Sequence, residues 1–178
     1  MNRQIRRGVY ETNSSSCHAI AISKTPINTN KLPDHVTFTH GEFGWESEEY
    51  HDTWSKAAYL YEAIYSCFED DNNVQEKLDH IIEVLGSYGI TCEFEPNERN
   101  EYGYCNGYID HGYETIDFVN EVLEDDNKLL TYLFGNSFII TGNDNDDGYS
   151  DRMYYEDSKG YGELKSEFDD YEVFEKGN

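Results

Sequence analysis

Apolar residues recur at helical spacing through the middle of the chain. Residues 54–68 place apolar side chains at i, i+3, i+4 and i+7, which predicts a first helix with one buried face. A second stripe of this kind covers residues 74–85. Asn73 and Glu76 have the spacing of a capping pair at its start, and Gly86 is expected to end it. The pattern therefore predicts two consecutive amphipathic helices.

A third helical zone and several short strands surround these helices. The zone covers residues 115–134, with a predicted break at residues 125–127 and an end at Gly135. Short runs of β-branched and aromatic residues predict the strands. The predicted strands are residues 9–10, 18–22, 36–39, 91–94, 104–109 and 137–141.

The strand at residues 18–22 has two different faces. Successive side chains of a strand point to opposite sides, so His18, Ile20 and Ile22 are expected to share one face. The two alanines between them are expected on the other.

The predicted strands suggest particular pairings. Residues 91–94 and 104–109 flank a turn-rich stretch at 96–100, so we expect them to form a hairpin. Residues 153–155 are the expected hairpin partner of the strand at 137–141.

This order of elements indicates an α+β fold. We expect a small mixed or antiparallel sheet packed by three to four helices, in a single domain that covers residues 1–178. Residues 12–16 are predicted to form a polar turn, and residues 41–51 an acidic loop. The acidic segment from about residue 160 has weak periodicity and is expected to be flexible.

Charge is the most unusual property of the sequence. The 13 Lys and Arg residues face 37 Asp and Glu residues, so the formal net charge is -24. Residues 1–41 carry a net charge of +3 and residues 42–178 a net charge of -27. A chain of this balance is not expected to grip a phosphate backbone, because that requires a cationic face. Direct binding of nucleic acid is therefore excluded.

The sequence also indicates a compartment. No run approaches the roughly 20 apolar residues of a membrane span, and no apolar stretch follows the basic start as in a secretory signal. The chain has four cysteines, which without a signal indicate a reducing environment rather than disulfides. We expect a cytoplasmic protein of a bacterial host that does not bind membranes.

Two cysteines and two histidines have the types and positions of zinc ligands. The predicted hairpin places Cys92 roughly opposite Cys105, and His111 shares strand parity with Cys105. With His18 at the start of its strand, two thiolates and two imidazoles would bind tetrahedral zinc. Cys17 points away from the face of His18 and is a reserve ligand. The alternative is that the thiols are simply buried.

A second candidate site is the run Ser14, Ser15, Ser16, Cys17 and His18. A serine or cysteine becomes a nucleophile when a base next to it takes its proton, so this segment predicts a hydrolase or transferase as the alternative function. No nucleophile-elbow motif is present, and no acid is placed to orient the histidine. A hydrogen-bonded polar turn explains the same residues.

Residues 143–148 resemble a calcium-binding loop. Alignment of Gly148 with the sixth loop position puts Asn143 where aspartate is usual and Tyr154 where a bidentate glutamate belongs. With both key ligands replaced, a polar hairpin turn is the simpler interpretation.

The surplus of acid predicts a partner instead of a catalytic site. B-form DNA carries one negative charge per roughly 1.7 Å, and proteins that hold it have cationic channels that a negative protein can occupy as a DNA mimic. Tyrosines among the acids suit a protein interface. The alternative is that the charge only maintains solubility. The predicted partner-binding residues are Glu69, Asp70, Asp71, Glu124, Asp125, Asp126, Asp144, Asp146 and Asp147.

The opening of the chain resembles the first residues of small proteins of low-GC Gram-positive bacteria and their phages. It reads RRGVYETNSSS over residues 6–16 and continues to His18. The blocks YIDH at residues 108–111 and TGNDN at residues 141–145 are similar to later blocks in that group. Some acidic phage proteins of this size are anti-CRISPR inhibitors of the type II RNA-guided DNA endonuclease. The resemblance implies a phage or mobile-element accessory protein, and it places two predicted zinc ligands inside matched blocks.

The sequence therefore predicts a non-catalytic, anti-CRISPR-like inhibitor, with zinc as its predicted cofactor. Its expected partner is a host CRISPR effector nuclease or another basic nucleic-acid-binding protein, whose DNA loading it would block by charge competition.

Overall fold

The strand predicted at residues 18–22 lies inside the main sheet of the protein. This sheet has the order β10-β1-β7-β4, and all of its pairings are antiparallel. Its strands are β1 (Ser16–Ser23), β4 (Glu48–Tyr50), β7 (Phe138–Asn143) and β10 (Tyr171–Lys176). The structure is a computed structural model that describes residues 16–44, 46–97, 99, 105–143 and 147–176. The predicted strand at residues 9–10 lies outside this range.

Both faces of β1 are buried, and its alternation divides the core in two. Ile20 and Ile22 pack into the larger apolar cluster, which the helices cover. Ala19 and Ala21 face a second cluster with Phe138, Ile140, Tyr149, Met153 and Phe168. The predicted separation of the two faces is therefore confirmed.

Five α-helices are found in the described part of the chain. They are α1 (Thr53–Cys67), α2 (Asp71–Ser87), α3 (Ile116–Glu124), α4 (Asp126–Phe134) and α5 (Asp147–Met153). Helix α1 contacts α2, α3 and α4, and its residues fill the centre of the larger cluster. None of the helices in the described residues is both long and apolar enough to span a membrane.

The predicted break in the third helical zone is confirmed at Asp125. Its Oδ1 accepts hydrogen bonds from the backbone N–H groups of Asn127 at 2.9 Å and Lys128 at 3.3 Å. This is an N-cap, which ends one helix and starts the next because it satisfies the first N–H groups of α4.

Other details of the helices differ from the prediction. Asp70 caps α2 by accepting from the N–H of Asn72 at 2.9 Å, so the helix starts before the predicted capping pair. Gly86 lies inside α2, which ends one residue later. On the predicted apolar stripes, Trp54 is 58 % exposed and Ile82 is 45 % exposed. Helix α1 is buried on every side from Ser55 to Ile64, and Trp54 lies just before that stretch. Ile82 lies beside the buried face of α2.

Three two-stranded sheets complete the described part of the fold. A parallel pair is formed by β2 (His35–Phe38) with β5 (Thr91–Phe94), and another by β3 (Glu42–Phe43) with β6 (Tyr108–Ile109). An antiparallel pair is formed by β8 (Tyr154–Asp157) with β9 (Gly160–Leu164). Short 3-10 helices cover Thr29–Lys31, Gly112–Thr115 and Ser166–Phe168.

These pairings correct three predictions. In the described residues β5 pairs with β2, so the hairpin of residues 91–94 with 104–109 is wrong. Residues 153–155 do not pair with β7, which lies between β1 and β4. Residues 41–51 contain two strands, β3 and β4, rather than a loop alone. The strands that pair here are far apart in the chain. A run of two to four residues is too short to indicate which distant strand it will pair with.

The α+β class and the single domain are confirmed. The acidic segment after residue 160 supplies β9 and β10, and β10 pairs with β1 from His18 opposite Lys176 to Ser23 opposite Tyr171. The end of that segment is therefore a strand of the main sheet.

Candidate interaction surface

Burial makes the ratio of carboxylates to cations higher on the surface of the protein than in its amino-acid composition. Among the described Asp and Glu residues, only Glu62 is buried, at 1 % exposure. Two lysines, Lys56 and Lys176, are also buried, at 1 % and 2 % exposure. Burial lowers the pKa of both lysines, to about 8 for Lys56. Two of the few cations are therefore absent from the surface, where the carboxylates remain.

Most of the predicted partner-binding carboxylates are exposed. Seven lie in the described residues and have exposed side chains: Glu69, Asp70, Asp71, Glu124, Asp125, Asp126 and Asp147. Asp144 and Asp146 lie outside the described residues. Asp70 and Asp125 also cap helices, and Asp71 accepts a hydrogen bond from Arg99 Nε at 3.3 Å. Some residues of the 69–71 and 124–126 acidic runs therefore also have local structural roles.

A groove between α2 and α3 gathers further carboxylates that the sequence analysis missed. It encloses about 640 Å³. Helix α2 contributes Glu76, Asp79 and Glu83 to its walls, and α3 contributes Glu124. Lys77 is the one lysine on these walls, and its Nζ lies 4.0 Å from Glu76. We call this feature the acidic groove. The sequence did contain a signal for this groove, because Glu76, Asp79 and Glu83 have the spacing that places side chains on one face of a helix.

Two of the cations that form ion pairs are each shared between two carboxylates. Lys128 Nζ lies 2.6 Å from Glu121 and 2.9 Å from Glu172. Arg152 pairs with Glu49 and with Glu167. One positive charge that serves two negative ones leaves a net negative surface at each of these sites. Exposed pairs of this kind contribute little stability, typically about 0–1 kcal/mol.

His18 is buried, and both of its ring nitrogens are hydrogen-bonded. Nε2 lies 2.7 Å from the carbonyl oxygen of Gly44, which can only accept, so Nε2 carries the proton. Nδ1 then accepts from the hydroxyl of Tyr59 at 3.0 Å. Burial, with the nearby charge of Lys176, lowers the pKa of His18 to about 4. A neutral imidazole with both nitrogens engaged is a structural group.

The four predicted zinc ligands are all described. Cys92 lies on β5 opposite Val36, and the hairpin that would have brought it to Cys105 is absent from the described pairings. His111 lies in the turn after β6, with Nε2 3.9 Å from Asp110 Oδ1. In the described residues no three His, Cys, Asp or Glu side chains form a group that could hold a metal ion. Zinc binding stays a prediction that metal analysis of the purified protein would test.

The predicted nucleophile segment is only partly described, since Ser14 and Ser15 lie outside. Ser16 is buried, and its Oγ donates to the carbonyl oxygen of Asp110 at 3.1 Å. Lys176 Nζ donates to the Ser16 carbonyl oxygen at 2.7 Å and also to its Oγ. In these contacts the serine proton is directed to a carbonyl oxygen and not to a base. Lys176 was missed as a partner because 160 residues separate it from Ser16.

The predicted calcium loop also lies partly outside the described residues, at 144–146. In its second half, residues Asp147–Met153 form α5 instead of the predicted hairpin turn. The hydroxyl of Tyr154, at the position of the bidentate ligand, donates to Glu175.

Comparison of the chain with protein-family models, curated proteins and solved structures finds no match.

Proposed function

We propose that this protein is a non-catalytic acidic inhibitor that binds a basic, nucleic-acid-handling surface of a host RNA-guided DNA nuclease. It acts in the bacterial cytoplasm and blocks DNA loading by occupying the cationic channel. The observation that carries the proposal is the division of charge by burial: the described carboxylates are almost all exposed, while Lys56 and Lys176 are buried.

The physical argument rests on competition between polyanions. A channel that binds DNA gains affinity by releasing counterions from the phosphates, and a folded protein with surplus carboxylates can occupy the same charges. The acidic groove supports the proposal because α2 and α3 hold its four carboxylates on rigid elements. The buried, fully paired states of Ser16 and His18 give no support to the hydrolase or transferase alternative.

The direct experiment measures DNA loading by a purified type II nuclease that already carries its guide RNA. The protein is titrated into a fluorescence-anisotropy assay with labelled target DNA. We expect inhibition whose half-maximal concentration rises about tenfold or more between about 50 and 300 mM NaCl, because screening weakens charge competition. Unchanged DNA loading, or inhibition insensitive to salt, contradicts the proposal.

A charge-matched pair of variants locates the effect. The groove variant combines Glu76→Gln, Asp79→Asn and Glu83→Gln, and we expect it to raise the half-maximal concentration by about fivefold.

The matched control combines Glu156→Gln, Glu163→Gln and Asp170→Asn, three exposed positions on the C-terminal part of the chain. It changes the net charge by the same amount, and we expect an effect below about twofold. Equal effects of the two variants would show that total charge alone, and not the acidic groove, sets the affinity.

A further inference from the structure

Residues 108–115, which we call the 108–115 loop, run from β6 through a turn into the 3-10 helix at Gly112–Thr115, and their backbone is held from several sides. Cys67 of α1 places its Sγ 3.6 Å from the carbonyl oxygen of Gly112 and 3.5 Å from Thr115 Oγ1. Thr115 Oγ1 donates to the carbonyl oxygen of Gly112 at 2.6 Å. Ser16, the first residue of β1, donates to the Asp110 carbonyl oxygen. The loop is thus fixed to both the helical layer and the sheet.

The backbone of this loop also has features that the surrounding structure must maintain. His111 has a φ of 53°, and it is the one non-glycine residue with positive φ in the described part of the chain. At Gly112 a Cβ would lie 2.6 Å from Ser66 Oγ, so only glycine fits there without a shift. A left-handed residue costs about 1 kcal/mol or more, and it persists only where its neighbours determine the conformation.

Two aromatic side chains of this fixed loop are nevertheless exposed to solvent. Tyr113 is 62 % exposed and Tyr108 is 50 % exposed. The ring of His111 stacks on that of Tyr113, with centroids 6.2 Å apart and planes at 29°. Exposed aromatic rings on a rigid backbone lose little entropy on binding, which is the property of anchor residues in protein interfaces.

Carboxylates frame the aromatic pair. Asp110 precedes His111, and Glu114 follows Tyr113, whose pKa this neighbouring carboxylate raises. In the described residues neither carboxylate forms an ion pair with lysine or arginine, although both lie near enough to the buried Lys176 for their charges to oppose the lowering of its pKa by burial. A planar aromatic face beside such carboxylates fits a guanidinium, which stacks and donates two hydrogen bonds at once. A lysine ammonium is not planar, so it cannot stack and donate two parallel hydrogen bonds in this way.

We infer that the 108–115 loop binds an arginine side chain of the basic protein partner. The guanidinium stacks on the Tyr113 and His111 rings and donates hydrogen bonds to Asp110 and Glu114. This inference rests on the proposed function in taking the partner to be a basic protein. The arginine site would add one specific contact to the general electrostatic attraction between the acidic protein and its basic partner. Helix α3 begins directly after this loop, and its second half, with Asn120, Leu123 and Glu124, forms one wall of the acidic groove.

The test compares two probes of equal charge, an octa-arginine and an octa-lysine peptide, by isothermal titration calorimetry at about 150 mM NaCl. We expect the wild-type protein to bind the arginine peptide about fivefold more tightly. Tyr113→Ala should abolish that preference, while Tyr113→Phe should keep it because the ring remains. Tyr155→Ala is the matched control, because Tyr155 is 50 % exposed on the separate β8–β9 pair.

Equal binding of both peptides by the wild-type protein overturns the inference, and so does an arginine preference that survives Tyr113→Ala. Thermal melting of each variant confirms that it is folded. The two proposals fail separately. Inhibition of the nuclease without an arginine preference removes only the loop as an anchor. An arginine preference without nuclease inhibition removes only the nuclease as the partner.

Discussion

Ser16 and His18 are side chains that suggested chemistry and instead connect β1 to its surroundings. His18 joins the sheet to α1 through Tyr59 and to the loop before β4 through Gly44. Ser16 joins the sheet to Asp110 and, through Lys176, to β10. Buried polar groups cost free energy unless each is paired, so these contacts are requirements of the fold.

The buried state of His18 predicts a specific pH dependence of stability. Its pKa falls from about 6.5 in the unfolded chain to about 4 in the folded protein, so the unfolded state binds more protons between these values. Stability from this group is therefore complete above about pH 6.5 and decreases as the pH falls to 4, by about 3 kcal/mol in total. His18→Gln keeps a donor for Gly44 but does not titrate. Urea denaturation of both proteins at several pH values should show a shallower loss in the variant.

The control for this prediction is His51→Gln, since the side chain of His51 is 60 % exposed. We expect this variant to follow the wild-type pH profile. Parallel profiles for the wild type and His18→Gln would contradict a buried, neutral His18.

At the scale of elements, the sequence predicted helices better than strand partners. The stripes that predicted α1 and α2 repeat over several turns, and the capping side chain of Asp125 marks its own helix start. A strand such as β5 has only four residues, and α1 and α2 separate it along the chain from its partner β2. Local patterns determine local structure, whereas pairing depends on how the intervening helices pack.

Two glycines in different elements predict opposite effects of the same substitution. At Gly142 in β7 a Cβ would lie 2.6 Å from the Cβ of Tyr149, which α5 holds in place. Gly142→Ala is therefore expected to destabilise the protein by about 1–3 kcal/mol. At Gly86 in α2 a Cβ would meet nothing within 4 Å, so Gly86→Ala is expected to stabilise it by about 0.5–1 kcal/mol. Denaturant unfolding of the two single variants measures both values.

Each glycine variant serves as the control for the other, because both add one methyl group. A neutral Gly142→Ala would mean that β7 and α5 are not packed as closely as described. A destabilising Gly86→Ala would mean that the end of α2 is not helical in solution.

At the scale of the whole molecule, charge opposes compactness. A net charge of -24 places carboxylates close together in the folded state and farther apart in the unfolded chain. The shared cations Lys128 and Arg152 offset only part of this repulsion. The buried lysines satisfy backbone carbonyl oxygens, as Lys56 does with Gly135 and Ser137.

This repulsion predicts that salt stabilises the protein. Between about 20 and 300 mM NaCl we expect the melting temperature to rise by about 2–5 °C, because screening weakens like-charge repulsion more than the few ion pairs. Differential scanning calorimetry measures the shift. Binding to the proposed basic partner should weaken over the same range, so stability and affinity are expected to change in opposite directions.

The combined variant Glu156→Gln, Glu163→Gln and Asp170→Asn should show a smaller rise in melting temperature, because it starts with less repulsion. A melting temperature that falls with salt would mean that ion pairs, and not surplus carboxylates, dominate the electrostatics of folding.

The sequence by itself determined the net charge, the α+β class, the two long helices, the helix break at residues 125–127 and the two-faced strand β1. Each of these depends on composition or on periodicity over neighbouring residues. Only the tertiary structure decided that Lys56 and Lys176 are buried while the carboxylates stay exposed, and that α2 and α3 form the acidic groove. It also decided that Ser16 and Cys67 hold the 108–115 loop in place. These depend on residues far apart in the chain, whose proximity follows from packing and not from any local pattern.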